Sequence, residues 1–173
     1  SNQHYQQFFD WVAASVPEAI ALVEPMQIAP LAGDAGFRRY YRTNTVPSLI
    51  AVDSPPAKEN NSAYLNIAHA LQSQMVRTPI IHGVNTEQGF MLLEDFGEQL
   101  LLPALNQQSV DSLYDQAETC LLQIQQLQPN EQIFPNYDSQ RLRDEMALFP
   151  QWFVGELLDS SLHKDETAML EKL

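Results

Sequence analysis

Between His4 and Val16 the apolar positions fall at Tyr5, Phe8, Phe9, Val12, Ala13 and Val16, and Pro17 follows. Spacings of three and four predict an amphipathic helix that the proline stops. Three short strand-like runs come next, at 26–30, 37–42 and 48–53, the middle one mixing aromatic residues with three arginines. Their length suits strands, with a hairpin turn at 44–47 between the last two and Pro55-Pro56 closing the third. A second helical period covers 60–74, with Ala63, Ile67, Ala70 and Leu71 on its stripe. Two further strands are expected at 78–84 and 89–94, joined around 85–88. Strands joined by short turns favour an antiparallel sheet, so the fold class is α+β: five strands with one inserted helix.

From Phe96 onward the pattern turns helical. Ser109 is expected to cap a helix reaching about Leu127, with Val110, Leu113, Ala117, Leu121 and Ile124 on one face. Asp138 is expected to cap another, burying Leu142, Met146, Phe149 and Phe153, with Pro150 kinking or splitting it. Residues 164–173 are again helical in character and end without a glycine, proline or polar cap. That ending suggests a chain cut in mid-pattern.

Composition narrows the function classes. Apolar residues make up 45% of 173 positions, enough for a buried core. Nine basic against 22 acidic side chains give a formal charge of -13. Such a field repels phosphate backbones and anionic lipid, which argues against nucleic-acid and membrane partners. It also disfavours ATP unless a local positive cluster offsets it. The apolar runs are too short to span a bilayer, and no basic segment precedes an apolar one at the start. A cytoplasmic location is therefore expected. Cys120, the only cysteine, excludes an internal disulfide and a cysteine-only metal cluster, and its helical setting suits a buried thiol.

Two places carry candidate chemistry. Leu31, Ala32, Gly33, Asp34, Ala35 and Gly36 form a turn between two strands, and neither Gly33 nor Gly36 carries a Cβ. Backbone N–H groups there, on to Phe37, can approach phosphate oxygens closely. Arg38, Arg39 and Arg42 add positive charge beside the turn, against the sign of the whole chain. An ordinary hairpin with charged flanks is the competing reading. Glu94, Asp95, Phe96 and Gly97 end a strand where sheet gives way to helix; a plain acidic turn is the alternative there.

These stretches in this order resemble the nucleotide-binding half of the aminoglycoside phosphotransferase family. The similarity rests on the run from Leu31 to Arg42, on Gly89-Phe-Met-Leu-Leu-Glu-Asp-Phe-Gly97, and on residues 137–153. With Asp53-Ser-Pro-Pro56, it points to the branch that phosphorylates N-acetylmuramate and N-acetylglucosamine at the anomeric carbon. The resemblance implies a protein-kinase-like N-lobe over 1–95, then a hinge and the start of an α-helical C-lobe over 96–173. It implies ATP with Mg2+ and a small sugar as acceptor. By the same likeness, Gly33, Asp34, Ala35, Gly36, Phe37, Arg39 and Arg42 would serve the phosphates. Glu94, Asp95 and Phe96 would present backbone to the adenine edge.

One departure stands out. Kinases of this kind end the third strand in a phosphate-binding lysine held by a glutamate. Here the strand ends Ile50-Ala51-Val52-Asp53, and Lys58 lies beyond it. Arg39 or Arg42 is expected to substitute, with Glu59 as the matching acid, although a helix-surface glutamate is the commoner role. The family's histidine-x-aspartate loop, its following asparagine and its metal-binding aspartate are expected downstream. His163-Lys164-Asp165 matches only the letters, and His69 and His82 fall within a helix and a strand. The chain alone is thus expected to bind nucleotide weakly, not to turn over, and to self-associate through exposed helical faces. A non-catalytic kinase-like module and an aminoglycoside kinase, which the acidic surface would suit, remain as other readings.

Overall fold

The computed structural model describes residues 2–32, 36–128 and 130–170, and the chain divides into two compact units, 1–129 and 130–173. The first opens with α1 (Asn2–Ser15), β1 (Ile28–Pro30), β2 (Arg39–Thr43) and β3 (Leu49–Asp53). Helix α2 (Asn61–Ser73) intervenes before β4 (Ile81–Asn85) and β5 (Phe90–Glu94), and α3 (Leu101–Ala104) and α4 (Val110–Gln125) follow. The strands form one sheet in the order β1-β2-β3-β5-β4, every neighbouring pair antiparallel. This is the expected α+β arrangement, with one helix between the third and fourth strands.

Both faces of the sheet are covered, so its central strands are apolar at nearly every position rather than alternating with polar ones. Leu49 and Ala51 of β3 and Phe90 and Leu92 of β5 pack with Phe8 and Val12 of α1. The intervening residues Val52, Met91 and Leu93 form the opposite layer, against Tyr64 and Leu65 of α2. Phe8, Leu49, Phe90 and Leu92 are each at most 1% exposed. The contact stripe of α2 runs through Tyr64, Leu65 and Ala68, one position away from the one that the apolar period suggests, whose residues are only half-buried.

Several ends differ from the sequence pattern for local reasons. β4 starts at Ile81, after Pro79 has removed one ladder donor, and the Ile80 N–H is taken by Glu94 Oε2 at 3.0 Å. The β4–β5 turn closes with Gly89 N donating to Asn85 O at 2.8 Å. Gly89 has φ +76°, and a Cβ there would lie 2.0 Å from Ser54 O. Ser109 does not cap α4 through its side chain. Asn106 holds the turn that precedes it, its Oδ1 accepting from Gln108 N and Ser109 N.

In the second unit, Asp138 caps α5 (Ser139–Leu148) as expected, accepting from Arg141 N at 2.9 Å. Pro150 cannot donate the next helical bond, and the chain continues as a π-helix, Phe149–Leu157. Leu142, Met146, Phe149 and Phe153, expected to be buried, are 40–49% exposed. Helix α6 (Lys164–Leu170) places His163 at its start, where His163 N donates to Glu166 Oε2. No helix among the described residues is long and apolar enough to cross a membrane.

Candidate functional site

The period-two alternation of β2 and β3 sorts the site's residues by face. Tyr41, Leu49 and Ala51 face α1, while Tyr40, Ile50 and Val52 face α2. Arg38 and Arg42 lie on the α2 side with Tyr40; Arg39, beside Tyr41 in this alternation, lies on the other and is exposed. The three arginines therefore do not form one cluster. Residues Gly33, Asp34 and Ala35 lie outside the described residues; Gly36 and Phe37 are exposed at the foot of β2.

At the end of the sheet near Glu94, two arginines hold the two acids that close β5, the expected hinge. Arg42 Nε donates to Asp95 Oδ2 at 2.6 Å, and its Nη1 reaches Glu98. Ser48 Oγ donates to Asp95 at 2.7 Å, and Gly97 N to Asp95 Oδ1 at 2.8 Å. Burial pushes the Asp95 carboxyl up, but the hydrogen bonds from Arg42, Ser48 and Gly97 outweigh it and hold its pKa below the ordinary value. Arg77 donates to Glu94 at 2.7 Å and stacks over Phe96, 4.8 Å from the ring centre. That hydrogen bond lowers the Glu94 pKa, against desolvation. Neither carboxylate is free for a ligand, so what this turn can offer is backbone and the exposed Phe96 ring.

At the other end of the same face a second cluster forms. Glu59 Oε1 accepts from Phe37 N at 2.9 Å, and its Oε2 pairs with Arg38 Nη2 at 3.2 Å. Arg38 Nε donates to Ser54 Oγ at 3.1 Å, and the guanidinium lies 5.4 Å from the centre of the Tyr64 ring. Ser54 is itself fixed, because Asn61 Nδ2 donates to its carbonyl at 2.9 Å. Half-buried Tyr40 lies between the two clusters, and half-buried Ile50 is the register partner of Arg42. Of the three arginines, Arg38, not Arg39 or Arg42, is the one that meets Glu59. The alternation through Tyr40 and Tyr41 was a signal that could have found it.

No group of three or more metal-ligating side chains assembles among the described residues. Cys120 is a half-buried free thiol. A shallow depression of about 440 Å³, lined by 56–62 and Thr86, opens beside the start of α2. It shares Glu59 with the site but none of the hinge, so it does not describe a nucleotide pocket.

A five-stranded antiparallel sheet with an inserted helix, followed by helices, is the kinase-like fold of phosphotransferases. The chain belongs to the phosphotransferase enzyme family, whose model matches residues 27–173. It is 41% identical over 126 residues to an N-acetylmuramate/N-acetylglucosamine kinase of Pseudomonas putida, covering 72% of this chain and 37% of that protein. A protein of the same name from Pseudomonas aeruginosa is 31% identical over 178 residues, covering 99% and 52%. One from Neisseria meningitidis is 29% identical over 159 residues, covering 88% and 45%. The chain thus spans about half, or less, of the length of these curated relatives. No solved structure matches it significantly.

Proposed function

We propose that the protein, at its natural length, is an ATP-dependent phosphotransferase acting on a hydroxyl of a small amino sugar of the N-acetylmuramate or N-acetylglucosamine type. In this reading residues 1–95 are the nucleotide lobe and residues from 96 begin the helical side of the cleft, in the cytoplasm. One observation carries it. A single face of the sheet presents an arginine-held hinge, a half-buried apolar floor at Ile50 and Tyr40, and an oriented arginine–glutamate pair. Adenine needs backbone polarity beside apolar surface, and its phosphates need fixed cations, in that order along one face.

Family membership supports phosphoryl transfer, and the N-acetylmuramate/N-acetylglucosamine kinases among its relatives support the amino sugar. When bound, ATP would be the phosphoryl donor and Mg2+ would offset the charge of its phosphates; among the described residues no cluster of three or more potential metal ligands forms. The chain's own part is to seat the ring at the hinge and hold the phosphates near Gly36 and Arg38. The test is ADP release by the protein at natural length, with MgATP and a panel of N-acetylated amino sugars and aminoglycosides. Release with the N-acetylated sugars alone is expected. Release with aminoglycosides alone would move the acceptor to cationic antibiotics, and silence with every acceptor would favour a non-catalytic module.

A further inference from the structure

A site for ATP needs a cation at the first two phosphates, and the third strand does not end in one. We propose that Arg38 is that cation, with Glu59 as the residue that positions it; the inference rests on the nucleotide-binding reading above.

The alternation of β3 explains why Asp53 is no obstacle. Leu49, Ala51 and Asp53 face α1, and Asp53 Oδ2 is hydrogen-bonded to His4 Nε2 of that helix at 2.9 Å. The next position on the α2 face, just past the strand, is Ser54, which is fully buried and carries no charge. Arg38 reaches it from just before β2. Ser54, Glu59 and the Tyr64 ring constrain the guanidinium from three sides, so its plane is set before any ligand arrives. Its side chain is 23% exposed, open enough for contact yet partly desolvated, which strengthens attraction for an anion. Nη1 has no partner among the described residues, which leaves donors for phosphate oxygens.

The alternatives are worse placed. Arg39 faces the other side of the sheet, and Arg42 is occupied by Asp95 and Glu98. Lys58 is exposed, with its ammonium 5.4 Å from the Phe37 ring centre and no carboxylate partner among the described residues. Arg38 also lies four residues from Arg42 on the same face, about 13 Å along an extended chain. An extended nucleoside diphosphate covers a span of that order.

The test compares binding of MgATP and of adenosine, which lacks phosphates, by titration calorimetry on the protein at natural length. Arg38→Met, Arg38→Lys and Lys58→Met are measured beside the wild type. Arg38→Met is expected to weaken MgATP binding about 10- to 100-fold and to change adenosine binding by less than about twofold. Arg38→Lys should recover part of the loss, since it keeps the charge without the planar fork. Lys58→Met should bind both ligands as the wild type does. The proposal is overturned if Arg38→Met binds MgATP normally, if it loses adenosine and MgATP alike, or if Lys58→Met takes the loss instead. A wild type that binds neither ligand would sink the nucleotide reading itself, whereas normal wild-type binding with a silent Arg38→Met sinks only this assignment.

Discussion

The sheet and the later helices put apolar side chains to different uses. Eight of the ten positions in β3 and β5 are buried, all but Ile50 and Glu94. In α4 and α5 none is buried, and the π-helix buries only Val154. Tyr114, Leu121, Leu122, Trp152 and Leu157 are instead more than half exposed. Rigidity in this chain therefore resides in the sheet, and the candidate nucleotide site stands on that part, where packing can hold polar groups in place.

The largest expected effect breaks the sheet side of this contrast. Gly89→Ala adds a Cβ 2.0 Å from the Ser54 carbonyl at a position with φ +76°. A loss of about 3 kcal/mol or more is expected in chemical denaturation, enough to unfold a marginal domain. Phe8→Ala removes the ring that contacts Tyr41 and Phe90 and should cost about 3–5 kcal/mol in the same assay.

A smaller effect concerns the hinge. Asp95 has a depressed pKa when folded, so the stability it adds is complete above its ordinary value of about 3.9 and is lost as pH falls through the lower folded value. Asp95→Asn should therefore be less stable than the wild type at pH 7, with the gap closing below about pH 4. Thermal unfolding measured across that range checks the sign. The smallest effect lies on the helices. Leu122→Gln, at a residue 59% exposed, should change stability by no more than about 0.5 kcal/mol. It is also expected to reduce concentration-dependent self-association in sedimentation velocity.

The contrast also separates what the sequence could and could not convey. The succession of strands along the chain was legible because short strand-like runs alternate with turns, and β3 and β5 have no charged residue before their ends; their order in the sheet, with β5 between β3 and β4, was not. The caps at Asp138 and the break at Pro150 follow from chemistry within four residues. Pairings across long separations were not legible: Arg42 and Asp95 are 53 positions apart, and which arginine meets Glu59 depends on strand facing. The helical periods after Ser109 identified an apolar face on each helix. A period cannot say whether another element covers that face, so Leu142 and Phe153 were expected to be buried and are exposed.

The central claim is that the α2-side face of the sheet seats a nucleotide between the hinge and Arg38. Hydrogen exchange on the protein at natural length, with and without MgATP, tests it most directly. Slower exchange at residues 36–38 and 94–97 on adding MgATP is the predicted result. Unchanged exchange in both segments, at a concentration where calorimetry shows the nucleotide bound, would contradict it.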